Sequence, residues 1–291
     1  MTRASFLLLS GLLLAACGGE RMAHMQEVAE WRAWRLADVT AEDSWLTLID
    51  YHWITGDSVV IGTGAEADIR LPRGPEVAGI LTSGSGGFTF RPVGPVLARG
   101  DTVARPMPAL DDDGTSVVFE FDDLNWFVRT FQDRPAVRVR DNRAPLRVAF
   151  PGLDYYPVNR TWRIDAYFEA YDPPKRFPVA IYTGGDAIEE SPGRVVFDLD
   201  GRRYELDVTD TSDTQYFVIF ADLTNADDTY PAGRYVWFDR PAGESGPVVL
   251  DFNKAYNPPC AFTEFATCPL PPRSHRIDAR IEAGELRFET S

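Results

Sequence analysis

Residues 251–272 carry five prolines, four aromatic residues and two cysteines within 22 positions. Each proline fixes φ, removes an N–H donor and pushes the residue before it out of the α region. A helix or a central strand is therefore excluded, and the segment reads as a rigid, irregular strap. Phe252, Tyr256, Phe262 and Phe265 offer large apolar surfaces with which to pin such a strap to a core. The remainder of the chain must supply the surface on which it lies.

That remainder is mostly β in pattern. Short apolar runs at 45–49, 58–61, 67–71, 87–93, 116–121, 126–131 and 136–140 are divided by Gly, Pro and Asp at close intervals. Further runs follow at 162–171, 178–182, 194–199, 203–208, 215–220, 234–238 and 247–250. A closing strand pair is expected at 276–281 and 286–288, around Ala283-Gly284. Asp113-Gly114 and Asp200-Gly201 are hairpin-type turns. Residues 26–38 hold good helix formers, and Val28, Trp31 and Leu36, with Trp34 beside them, give an apolar stripe at near-helical spacing. The expected fold is mainly β: an antiparallel sandwich or barrel with one N-terminal helix and a Pro-rich C-terminal strap. The aromatic–proline junction at 150–157 divides the all-β domain of residues 26–291 into sub-domains 45–149 and 150–291.

The N-terminus carries Arg3, an apolar run at 6–14 and the ending Leu14-Ala15-Ala16-Cys17. A basic start, a short apolar stretch and small residues before a cut are the marks of a secretory signal peptide. The run is too short to span about 30 Å of hydrocarbon. Its Leu-Ala-Ala-Cys ending resembles the lipobox of bacterial lipoproteins. That resemblance implies a signal peptide at 1–16, acylation of Cys17 and a polar tether over 17–25. Gly18 in place of Asp resembles an outer-membrane address, so the expected location is the bacterial envelope, lipid-anchored. Several acyl chains exceed the two-signal threshold for stable anchoring. The net charge of −15 argues against nucleic acid, whose binding is driven by Lys and Arg. The expected partners are thus the membrane, through the anchor, and a small polar ligand or an envelope protein.

Two resemblances concern the ordered part. Ile61-Gly62 with 67–72 resembles the forkhead-associated sandwich, but Thr63 stands where its arginine is expected and a later Ser-x-x-His is missing. Phosphopeptide binding does not follow. Phe220-x-Asp222-x-Thr224, Thr229-Tyr230-x-Ala-Gly-Arg234, the run from Asp251 through Asn257-Pro-Pro-Cys260 to Thr263, and Ala266-Thr-Cys268-Pro-Leu-Pro-Pro272 are similar to the domain-of-unknown-function 1684 family. Val137-Arg138-Val-Arg140-Asp141, Tyr155-Tyr-Pro157 and Trp45-Leu46 extend the likeness over residues 27 to 287. The resemblance implies a fold and a surface, and the family brings no established activity.

Candidate chemistry follows from the same motifs. Arg138, Arg140, Asp141, Asp222, Thr224, Tyr230, Arg234, Asp251, Asn253, Tyr256 and Asn257 occupy motif positions, and planar Arg groups beside Tyr and Asn suit a carboxylate, phosphate or sugar. The plainer alternative is that Arg and Asp pair to satisfy the strap's orphan backbone groups. With Cys17 acylated, Cys260 and Cys268 form an even pair in an oxidising compartment, which predicts a disulfide worth about 2.5 kcal/mol by loop entropy. Their spacing is wrong for a redox-active pair, and zinc needs about four ligands where only His275 lies near the strap. No metal and no cofactor are expected. Asp111-Asp112-Asp113-Gly114 lacks the alternation of a calcium loop and reads as a solvated turn. His52 reads as a packing residue. Nucleophile elbow, zinc-protease, Walker and Rossmann motifs are all missing from the sequence. The leading expectation is a non-enzymatic binding domain with a pocket between the strap and the Arg138/Asp222/Arg234 surface. A hydrolase using carboxylates and Tyr, and a purely structural lipoprotein, remain open.

Overall fold

The computed structural model describes residues 5–131, 134–209 and 212–289, with side chains from residue 19 onward. The side chain of Cys17, the expected acylation site, lies outside them. The chain divides into two compact units, a split unit of Met1–Val39 with Pro151–Ser291 and a middle unit of Thr40–Phe150.

Helix α1 runs Ser5–Thr40, well beyond the expected 26–38, and takes in residues 19–25 that read as a tether. Its buried positions are His24, Val28, Arg35 and Val39, which share one helical face. Trp34 is 57% exposed and Leu36 is 42% exposed, so the expected apolar stripe is only partly the buried one. The buried face carries polar side chains because carboxylates from later in the same unit meet them. His24 Nε2 lies 2.7 Å from Asp251 Oδ2, and Arg35 Nε donates to Glu285 Oε1 at 3.0 Å.

In the middle unit the strands are β1 Leu48–Trp53, β2 Ser58–Gly62, β3 Ile69–Arg70, β4 Gly79–Gly84, β5 Gly87–Pro92, β6 Leu97–Ala98, β7 Asp101–Thr102, β8 Met107–Pro108, β9 Phe119–Phe121, β10 Leu124–Phe131 and β11 Arg134–Asp141. They form a six-stranded sheet, β1-β11-β10-β9-β6-β7, and a five-stranded sheet, β3-β2-β4-β5-β8. Among the described residues of this unit, only the β2–β3 strand pair is parallel. Val59, Ile61, Leu81 and Phe90 of one sheet share a core with Phe119, Trp126, Val128 and Val139 of the other. The Phe90 and Phe119 rings sit 4.2 Å apart, and a side chain at Gly79 would strike the Phe90 ring. This is sandwich packing, with alternate residues turned inward. A one-turn helix, α2 Pro145–Val148, closes the unit.

The split unit holds β12 Arg163–Ala180, β13 Asp186–Leu199, β14 Arg202–Asp207, β15 Gln215–Phe220, β16 Arg234–Asp239 and β17 Gly246–Asp251. Its sheets are β14-β13-β12-β17 and the pair β15-β16. The two expected strands at 162–171 and 178–182 are one long strand. Its ladder to β13 breaks between Ala170 and Lys175, where Pro173 and Pro174 have no N–H to give. Phe168, Val195, Phe197, Leu206, Val218, Phe220, Val236 and Leu250 make its core, joined by Phe252 of the strap and by Ile277 and Ile281. The expected strand pair at 276–281 and 286–288 is not formed. Those residues are irregular, with isolated bridges at Arg276 and Glu285. Among the described residues no sheet closes into a barrel.

Candidate functional site

The strap is packed down along its length. Phe252 is fully buried against Phe197 and Phe220, at 5.8 and 5.2 Å between ring centroids, and Phe262 meets Phe288 at 5.1 Å. Cys260 and Cys268 are joined in a disulfide with Cα atoms 6.1 Å apart. Gly284, at φ +81°, turns the C-terminal segment so closely over Ala255 that a Cβ there would meet the Ala255 carbonyl. Only glycine takes that backbone cheaply.

The polar motif residues act mainly on backbone that has no ladder partner. Arg234 is fully buried; it donates to the carbonyls of Ala283 and Ile281 and pairs with Asp222 Oδ1 at 2.9 Å. Asp222 Oδ2 in turn accepts the Ile281 N–H at 2.8 Å, and its carboxylate caps the short helical turn Leu223–Ala226 and accepts from Thr224 Oγ1. The pair thus fastens residues 281–283, not the strap as the sequence suggested. Asn253 grips Asn159 through both its amide groups, Asn257 Nδ2 donates to Leu286 O, and Tyr230 Oη donates to Cys260 O. Arg138, Arg140 and Asp141 belong to the middle unit and are engaged there. Arg138 lies over Trp45 and Tyr51, Arg140 over Phe127, and Asp141 takes a two-point pair from Arg73 at 2.6 and 2.7 Å. Burial lowers the Arg138 pKa to about 10. Asp141 is held below the usual carboxylate range: burial works against its charge, and Arg73 and Arg143 outweigh it.

The expected pocket beside Asp222 and Arg234 is filled by these contacts. A cavity of about 510 Å³ opens elsewhere in the split unit, between α1, the two sheets and the start of the strap. Trp31 and Trp34 come from α1, Trp237 from β16 and Tyr256 from the strap. Glu27, Asp38, Arg163, Gln215, Asp239, Asp251 and Lys254 bring polar groups to the same walls. Of the motif residues named from sequence, Asp251 and Tyr256 reach it.

Trp31 meets Trp34 at 6.4 Å and Tyr256 at 6.3 Å, at tilts of 46° and 52°, so the rings form a curved wall. Trp237 Nε1 donates to Tyr256 Oη at 2.7 Å, which leaves the phenol proton free to turn toward the cavity. Burial raises the Tyr256 pKa, so the phenol stays protonated near neutrality. Glu27 accepts from Lys254 and sits 3.5 Å from Arg163. Burial penalises its charge, but those two cations hold it below the ordinary carboxylate range. Asp251 is saturated: Oδ1 accepts from the N–H and the amide of Asn253, and Oδ2 faces His24 and Arg163. Trp237, Gln215 and Arg163 carry no motif signal in the sequence. Among the described residues no group of three or more His, Cys, Asp or Glu is placed to hold a metal ion.

Residues 148–286 match the model of a family described as a protein of unknown function, DUF1684. The likeness read at residues 27–147 lies outside that match. An uncharacterized protein of Haloarcula marismortui, solved by solution NMR, is 30% identical. That match covers 48% of this chain and 78% of that one, with a TM-score of 0.41. No curated protein matches.

Proposed function

Starting from a chain whose residues 148–286 match the DUF1684 family, we propose that the protein is a binding module of the bacterial envelope. It is held to the membrane through Cys17 and takes a small polar ligand in the cavity between α1, β16 and the strap. The observation that carries this reading is the convergence of four aromatic rings and several charged side chains on one concavity of about 510 Å³. A binding role is favoured over a hydrolytic one by Asp251. A carboxylate offers about four lone-pair sites, and in Asp251 all are taken by Asn253, His24 and Arg163. None is left to activate water.

The test is a panel of sugars, amino acids, amines and phosphates, followed by tryptophan fluorescence and thermal shift on the full-length protein in non-ionic detergent. A hit that is lost in Trp237→Ala is expected. Turnover of any panel member that disappears in a folded Asp251→Asn variant would replace the binding reading with the hydrolase. Anchoring is tested separately: Cys17→Ser should leave the membrane fraction and lose the mass of the acyl chains. A Cys17→Ser protein that stays membrane-bound at unchanged mass refutes the anchor.

A further inference from the structure

We propose that the ligand of this cavity is an organic cation, of the quaternary or alkylated ammonium class. The inference deepens the binding reading above and rests on it. Trp31 is tilted against Trp34 and Tyr256 rather than stacked on them, Trp237 lines the same cavity, and ring faces attract a cation through their negative quadrupole. The Arg35 guanidinium lies 4.6 Å from the centre of the Tyr256 ring, so one of the lining rings already attracts a cation.

Charge points the same way: Glu27, Asp38, Asp239 and Asp251 line the cavity against Arg163 and Lys254. Both cations are committed, Lys254 to Glu27 and Arg163 to Glu27 and Asp251. An anion would have to break those pairs. Among the described residues, the Asp239 carboxylate accepts from the neutral amide of Gln215, at 2.8 Å, and meets no cation, so its charge is open to a cationic ligand. Trp237 spends its single N–H on Tyr256, Gln215 gives one amide N–H to Asp239, and Lys254 and Arg163 are turned to carboxylates. An alkylated ammonium asks for none of these donors, only for π surface and a carboxylate.

The experiment compares choline, its neutral isostere 3,3-dimethylbutan-1-ol, and glucose, by calorimetry and tryptophan quenching on the full-length protein in non-ionic detergent. Choline is expected to quench and to bind about tenfold or more tighter than the isostere, the ratio that a desolvated cation–π contact gives. Asp239→Asn should weaken choline about three- to tenfold and leave the isostere unchanged, as loss of one charge partner predicts. Trp237→Ala should abolish the quench. Should that variant fail to fold, Trp34→Ala tests the same wall from a side chain that is 57% exposed. Equal binding of choline and the isostere, or glucose binding in their place, overturns the cation and leaves the binding reading standing. Binding by none of the three overturns the cation, and silence of the wider panel as well removes the site.

Discussion

Arg234 is a guanidinium with no exposed surface, and the reason it survives there is the backbone it serves. Residues 281–283 lie outside any ladder, and Arg234 with Asp222 serves three of their backbone groups, the Ala283 and Ile281 carbonyls and the Ile281 N–H. Removing one partner of a buried pair leaves the other charged and unpaired, so Arg234→Ala should cost about 3–5 kcal/mol in urea unfolding. A drop below about 1 kcal/mol would mean that the pair is dispensable. The sequence placed Asn253 and Asn257 in irregular backbone, because the prolines of the strap forbid regular ladders, and set Arg234 at the start of an expected strand. It did not show which backbone Arg234 and Asp222 serve, since that depends on contacts 47 and 59 residues away. Asp207 offers a second test at this scale. Burial raises its pKa, but His275, Lys175 and Tyr171 more than offset that and hold it well below the usual value. A depressed carboxyl contributes stability that is fully present above its unfolded pKa, near 4, and is lost as pH falls through the lower folded value. The stability gap between wild type and Asp207→Asn should therefore be widest near neutrality and close as the pH drops below about 4. A gap that is constant with pH would show that the carboxylate's charge is immaterial.

Helix α1 is an element whose existence was legible and whose docking was not. Helix formers at 26–38 announced it, but apolar periodicity pointed to Val28, Trp31 and Leu36. The docked face instead includes His24 and Arg35, because Asp251 and Glu285 wait beneath it. Counter-charges distant in sequence are invisible to a pattern of hydrophobicity. The freed tryptophans, Trp31 and Trp34, then become walls of the cavity. β4 was missed for a local reason: Gly79, Ser83 and Gly84 break its apolar run, although the Phe90 ring demands glycine at 79. The segment at 276–281 misled in the opposite way. Ile277, Ile281 and Ala283 are buried at alternate positions like a strand, while their backbone is held by side chains. For the helix, Arg35→Ala would leave Glu285 buried and without its guanidinium. The expected cost is about 3–5 kcal/mol, with faster amide exchange through residues 28–39. The double variant Arg35→Met/Glu285→Gln should recover most of the loss, since it removes both charges together. If the double variant is as unstable as the sum of its singles, the pair does not hold the helix down.

At the scale of the whole molecule, the chain inserts one sandwich into another unit's sequence. Residues 40–150 form two sheets, each built from strands of that stretch, with a shared interior of Val59, Ile61, Leu81, Phe90, Phe119, Trp126 and Val139. The motif-rich split unit has its own core, built from the strands after residue 151, and carries both the strap and the cavity. A stretch of about 100 residues with a contiguous core is of the size that folds alone. Its first and last residues lie close together, since Arg147 Nε donates to Thr40 O at 3.1 Å and Val148 N to Ala144 O at 3.0 Å in the closing turn. Near termini favour independent folding, because excision leaves no long end unsupported. Residues 40–150 expressed alone should therefore give a β-type circular dichroism spectrum and one cooperative urea transition with a slope of about 1–3 kcal/mol/M. A broad, non-cooperative transition with dye binding to exposed apolar surface would show that this interior is incomplete without the rest of the chain. The isolated piece carries none of Trp31, Trp34, Trp237 or Tyr256, so it should also give no quenching with choline, and any quenching it does give would place ligand binding away from the cavity.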